Sequence, residues 1–103
     1  MDPFKPYTPT KRPTQVPKIA SLEDAQAVAL QAIAFIAGDE ELLPRFVGLT
    51  GCGQDEIRGR IGEDSFLGGV LDFILGDEAT LLAFAEASGL SPEAPMAARA
   101  RLP

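Results

Sequence analysis

The sequence contains no histidine and no tryptophan, and only one cysteine and one tyrosine. Without histidine there is no imidazole base for nucleophilic or acid–base catalysis, and no Cys/His zinc site. A lone cysteine, Cys52, cannot close an intrachain disulfide. Long hydrophobic runs are missing too. Ala27 to Ala37, in which only Gln31 is polar, is about half of what a membrane-spanning helix needs, so no membrane association is expected. Positive charge is scarce: the formal net charge is −6, which argues against a nucleic-acid binder that uses its whole surface. What remains is enough for a core. The 103 residues are 46% hydrophobic and 23% charged, suited to one small packed domain.

The charge is unevenly placed. Residues 1–18 hold Asp2 against Lys5, Lys11, Arg12 and Lys18, a net of +3, which leaves −9 for residues 19–103. Every lysine of the chain lies in that first segment, with Pro3, Pro6, Pro9, Pro13 and Pro17. Proline fixes φ and removes a backbone donor, so neither a helix nor a central strand is expected through it. Residues 1–18 read as a disordered, Pro-rich basic arm that spans roughly 55 Å when extended. It has prolines where a signal peptide has its apolar stretch, so a cytoplasmic chain with a reduced thiol is expected.

Residues 19–103 read as one all-helical domain. Ser21 is placed to cap a helix over 22–37, which Gly38 stops. That helix is apolar on nearly all sides and belongs at the centre of a fold. Asp39 caps a second helix that ends at Gly51, with Pro44 near its start and residues 39–43 open to forming a separate turn. A short third helix runs from about Gln54 to Ile61. Asp64 is expected to cap 65–75, Asp77 to cap 78–88, and Ser91, followed by Pro92, to open a last helix reaching about Leu102. The expected fold class is all-α, a compact bundle of about six short helices with no sheet.

The second half repeats the first at an offset of 38. Phe35-Ile36 matches Phe73-Ile74, Gly38-Asp39-Glu40 matches Gly76-Asp77-Glu78, and Leu43, Phe46 and Gly51 match Leu81, Phe84 and Gly89. Aligning 29–62 with 67–100 gives eight identities over 34 positions, where chance gives roughly three. Two duplicated three-helix units, about 21–62 and 64–102, are expected to share one core. Its middle is expected to be helices 22–37 and 65–75, with Phe35 and Phe73 at the centre.

Three segments carry a resemblance to a known family: Phe35-Ile36-Ala37-Gly38-Asp39, Arg45-Phe46-Val47-Gly48-Leu49-Thr50-Gly51, and Val70-Leu71-Asp72-Phe73-Ile74-Leu75-Gly76-Asp77-Glu78. They resemble the bacterial, mostly alphaproteobacterial, domain of unknown function family number 3572, over roughly residues 21–102. The resemblance implies no activity and no catalytic residues. It implies Leu and Asp or Ser where Cys52 and Gly53 stand, a departure expected to weaken the cap of the third helix.

No catalytic set, metal site or cofactor site is assigned. Most carboxylates fall at helix starts, where they satisfy free N–H groups and complement the helix dipole. Clustered carboxylates also suit Mg²⁺ or acid/base work, but no EF-hand loop is present. Asp72 interrupts an apolar run, and if buried it needs a partner such as Arg58 or Arg60. On a helical wheel it shares a small-residue stripe with Ser65, Gly69 and Gly76. That stripe suits a close helix crossing, a solvent-facing strip, or a shallow groove admitting a partner helix. Adjacent Gly68 and Gly69 cost about 1 kcal/mol each relative to alanine, which points to something close against the backbone. Arg58 and Arg60 flank Gly59 and suit an anion or the helix C-terminal dipole. Cys52 follows Gly51 as Leu90 follows Gly89, the apolar position of a Schellman cap.

The functional expectation is a non-enzymatic helical interaction or regulatory module. Its partner is another protein, and its candidate binding residues are Ser65, Gly69, Asp72, Gly76, Arg58 and Arg60. The alternatives are a carboxylate-dependent metal-binding hydrolase and a weak nucleic-acid-associated protein acting through residues 1–18.

Overall fold

The computed structural model describes residues 19–103. The expectations for the arm at 1–18 lie outside the described residues. Six helices follow one another: α1 (Leu22–Ala37), α2 (Leu42–Thr50), α3 (Gln54–Arg60), α4 (Asp64–Leu75), α5 (Glu78–Ser88) and α6 (Glu93–Ala100). No strand occurs among the described residues, and the fold is all-α.

Local chemistry sets the boundaries. Ser21 takes the backbone N–H of Asp24 on its hydroxyl at 3.1 Å, while Asp24 reaches back to the N–H of Ala20 at 3.0 Å. Asp39 accepts from the N–H groups of Glu41 and Leu42 at 2.8 and 2.9 Å. Residues 39–41 therefore form a turn of their own ahead of α2. Asp77 caps α5 through Thr80, taking its N–H at 3.2 Å and its hydroxyl at 2.6 Å. Gly51 and Gly89 close α2 and α5 at φ +76° and +70°, a conformation a Cβ would strain.

Three boundary expectations need correction. Glu63, not Asp64, holds the cap position of α4, and Asp64 is its first helical residue. The Asp64 carboxylate instead accepts a 2.7 Å bond from the Gln26 amide on α1. Ser91 does not cap α6: its hydroxyl is buried with no hydrogen-bond partner, and Pro92 holds the cap position. The turn after Gly51 is not a Schellman cap. There the N–H of Cys52 goes to the Thr50 hydroxyl at 3.2 Å, because that hydroxyl is tied back to the Phe46 carbonyl at 2.7 Å. The turn after Gly89 does close in the Schellman manner, with the Leu90 N–H on the Ala85 carbonyl at 2.9 Å. At α3, Glu56 takes the N–H of Gly53 at 3.0 Å, but glycine has no side chain to return the bond. That helix is held at its start from one side only.

α1 and α4 pack on each other at the centre, and α6 lies across both. α5 flanks α4 and touches α1, and α2 flanks α1. α3 sits at the edge and touches the other helices only slightly. Its anchor is Ile57, buried in the same apolar cluster as Phe46, Phe66, Leu71, Ile74 and Phe84. Phe35 and Phe73 are only half-buried, so they do not form the centre of the core. The α1–α4 crossing buries the neighbouring positions Ile36 and Ile74 and turns the two phenylalanines outward. The rings then pair across the halves. Phe35 lies 5.5 Å from Phe84, and Phe73 lies 5.3 Å from Phe46 in an edge-on arrangement.

Candidate functional site

The small-residue stripe of α4 faces open space. Ser65, Gly69, Asp72 and Gly76 are all exposed, and a Cβ built on Gly69 would meet no atom within 4 Å. The close approach expected at the glycine pair belongs to Gly68 alone, whose Cβ would stand 2.9 Å from the carbonyl of Pro103 and 3.1 Å from Arg99.

Opposite the stripe stands α2. The two backbones approach less closely than those of α1 and α5, and aromatic rings bridge the gap. Phe46 lies 6.2 Å from Phe66 and 5.3 Å from Phe73, both edge-on. Two adjoining depressions result. One, of about 200 Å³, is lined by Thr50, Cys52, Arg60, Ser65 and Gly69 above the Phe46 and Phe66 rings. The other, of about 280 Å³, is lined by Arg45, Leu49, Asp72, Gly76 and Asp77 beside Phe73. Together they mark the α2–α4 groove, one depression toward each end of α4.

Arg60 closes one end. Its guanidinium donates to Glu63 at 3.2 Å and to the Cys52 sulfur at 3.4 Å, and stands 5.2 Å above the Phe66 ring. The bond to Glu63, then that to Cys52, holds its pKa above the ordinary arginine value. Cys52 itself is 4% exposed and acts as an apolar plug under this contact. At the other end, the Thr80 hydroxyl and N–H hold the Asp77 carboxyl below its usual range, and the charge of Arg45 adds to this.

Asp72 is exposed rather than buried, and its partner is neither Arg58 nor Arg60. Arg99 of α6 donates to it at 2.8 Å, and the same guanidinium reaches the carbonyls of Leu102 at 2.9 Å and Pro103 at 3.2 Å. The bond to Asp72 raises the pKa of Arg99 above its ordinary value. This contact clips the end of α6 to α4, and the missing side chain at Gly68 makes room for it. Arg58 lies apart from the other five candidates. It borders an apolar depression of about 230 Å³ between α1 and α3, with Ile33, Ile57 and Ile61. Arg45 and Leu49 also line the α4 groove and were not among the sequence candidates. Each is an ordinary exposed position of an amphipathic helix until α4 is placed opposite.

A fourth depression, of about 370 Å³, lies between α1 and α5, lined by Gln31, Ala34, Phe35, Ala87 and Ser88. Each of these has its offset-38 counterpart in the α2–α4 groove: Gly69, Asp72, Phe73, Leu49 and Thr50. The chemistry differs. Arg45, Arg60 and Asp72 are matched by Ala83, Ala98 and Ala34. Charge is confined to one of the two grooves.

Among the described residues no three acidic or cysteine side chains converge closely enough to hold a metal ion. Nor is any described helix long and apolar enough to cross a membrane. The model of a family described as a protein of unknown function, DUF3572, matches residues 22–103. The chain belongs to that family. The match covers all six helices and leaves residues 1–21 outside it. No curated protein and no solved structure matches the chain.

Proposed function

We propose that this member of the family is a non-enzymatic helical interaction module that takes another protein in the α2–α4 groove. One observation carries the reading. The stripe Ser65, Gly69, Asp72 and Gly76 lies open along a groove floored by phenylalanine rings, with arginines at its ends. Small residues on a helix let a second backbone approach closely, and apolar floors with charged rims suit protein partners. The module works in the cytoplasm, where the unbridged thiol of Cys52 stays reduced. Its body arose by duplication of a three-helix unit. The reciprocal pairs Phe35–Phe84 and Phe46–Phe73, related by the offset of 38, support this.

The test is affinity capture from native lysate with the full chain and with Gly69→Arg, both checked for helical content by circular dichroism. Position 69 has open space, so the variant folds while its groove is blocked. A protein retained by the native chain and lost from the variant is the expected result. Identical captured sets would remove the groove from the account.

A further inference from the structure

α3 touches the other helices less than any of the six, yet it lies against apolar surface on two sides. We propose that the segment 52–62, with α3 at its middle, is a strap that opens as a unit while the other five helices stay folded. Its opening uncovers the Cys52 thiol and the Phe66 ring. This goes beyond the groove reading and does not need it, since the motion involves no partner.

The first argument is how little holds the strap. α3 has seven residues, too few for a helix to persist by itself in water. Ile57 is its one buried residue, where α4 buries six. Among the described residues no side-chain hydrogen bond joins α3 to another helix. Those of Arg60 go to Cys52 and Glu63, which stand in the connections on either side of α3. Gly59 weakens the helix from within, and the open space around it shows that no close contact requires the missing side chain. Opening the strap gives up the burial of Cys52 and Ile57 and part of that of Ile61, a small share of the apolar cluster. Such an opening lies well below global unfolding in free energy.

The second argument is what the strap covers and where it can bend. Arg60 stands over the Phe66 ring and donates to the Cys52 sulfur, so lifting α3 removes the cover from both. On the other side Ile57 and Ile61 share a depression with Ile33 and Ala37 of α1. Release of α3 therefore bares Phe66 toward α4 and Ile33 toward α1. Glycines stand at both ends of the segment. Gly51 holds a left-handed conformation at φ +76°, and Gly62 is exposed with no atom near its Cβ position. Both are suited to absorb the backbone rotation of a hinge.

Cys52 is the one thiol of the chain, so its reaction with dithiobis(nitrobenzoate) reads the opening directly. The full chain is labelled in urea concentrations below its unfolding transition. Labelling is expected to be about a hundredfold slower than in the unfolded chain. It is expected to change little with urea, because a short strap exposes little surface. The backbone amides of α1 and α4 are expected to exchange through a rarer opening that rises steeply with urea. Ile57→Ala should speed labelling by about tenfold or more and leave the exchange of those amides unchanged. Gly59→Ala should slow labelling by about fivefold. Gly59 is exposed, so that variant stays folded whatever becomes of Ile57→Ala. Labelling with the urea dependence of the α4 amides overturns the proposal, because Cys52 then meets solvent only when the whole body unfolds. Labelling as fast as in the unfolded chain overturns it as well. So does a rate indifferent to both variants, since the thiol then escapes without α3.

Discussion

Gln26 and Asp64 are separated by 38 residues, the offset of the sequence repeat, and are joined by a 2.7 Å hydrogen bond. Each is therefore the counterpart of the other. The bond joins α1 to the start of α4, and the contacts Phe35–Phe84 and Phe46–Phe73 are likewise related by the offset of 38.

The bond between these counterparts is partly buried and is expected to contribute about 1 kcal/mol. A double-mutant cycle of Gln26→Ala and Asp64→Ala, read by urea denaturation, checks it. Additive losses would show that the two side chains do not act together.

The phenylalanines should separate into two classes. Phe46 is 2% and Phe84 0% exposed, whereas Phe35 and Phe73 are half-buried. Truncating a fully buried phenylalanine costs about 3–5 kcal/mol. A body of this size has about 5–15 kcal/mol in total, near the low end. Phe46→Ala and Phe84→Ala should leave the body largely unfolded or molten at 37 °C, and Phe73→Ala should remain folded with a lowered melting temperature. Thermal melts followed by circular dichroism decide it, and equal effects at all positions would contradict the burial pattern.

Two adjacent glycines should respond in opposite directions to alanine. At Gly69 nothing opposes a methyl group, so Gly69→Ala gains the helix preference of about 1 kcal/mol. At Gly68 the new carbon would meet the Pro103 carbonyl at 2.9 Å and displace Arg99 from its bond to Asp72. Gly68→Ala should therefore lower the melting temperature while Gly69→Ala raises it. A rise with Gly68→Ala would show that the Arg99 contact is dispensable.

Acid should act on α5 through its cap. The Thr80 hydroxyl and N–H hold the Asp77 carboxyl below its usual range, so the folded chain binds this proton less readily than the unfolded chain. The resulting stabilisation is present above the unfolded value of about 3.9 and is lost as pH falls through the lower folded value. Thr80→Val keeps the side-chain shape and removes the hydroxyl. Its destabilisation should be largest near neutral pH and shrink as pH falls below about 4 and on through the lower folded value. A pH-independent difference between native and Thr80→Val chains would assign the loss to packing.

The helix boundaries were legible because they are local. A glycine after an apolar run and a serine or aspartate before one act within a single turn, and Gly38, Gly51, Gly76 and Gly89 each follow directly on a helix end. The exposure of the α4 stripe could be posed from a helical wheel but not decided, because a wheel shows which residues share a face and not what stands opposite. The partner of Asp72 was beyond reach for the same reason. Arg58 and Arg60 are nearer in sequence, yet Arg99, 27 residues away, is brought to it by the path of α6 across α4. Repeat symmetry misled at the phenylalanines, since equal positions in two units need not be the most buried ones. It also gave no sign that α3 would lie at the edge while α6 crosses both central helices.

That crossing sets an order in time. α6 covers α1 and α4 together, and Ala94, Ala98 and Leu102 are all buried. During synthesis α1 leaves the ribosome first, apolar on nearly every side, and its covering helix is the last of the six to appear. Long-range contacts of this kind delay folding and leave greasy surface unprotected in the interval. A nascent chain stalled before residue 93 is thus a ready substrate for holding chaperones and proteases, whereas one released past Leu102 can hide its first helix at once.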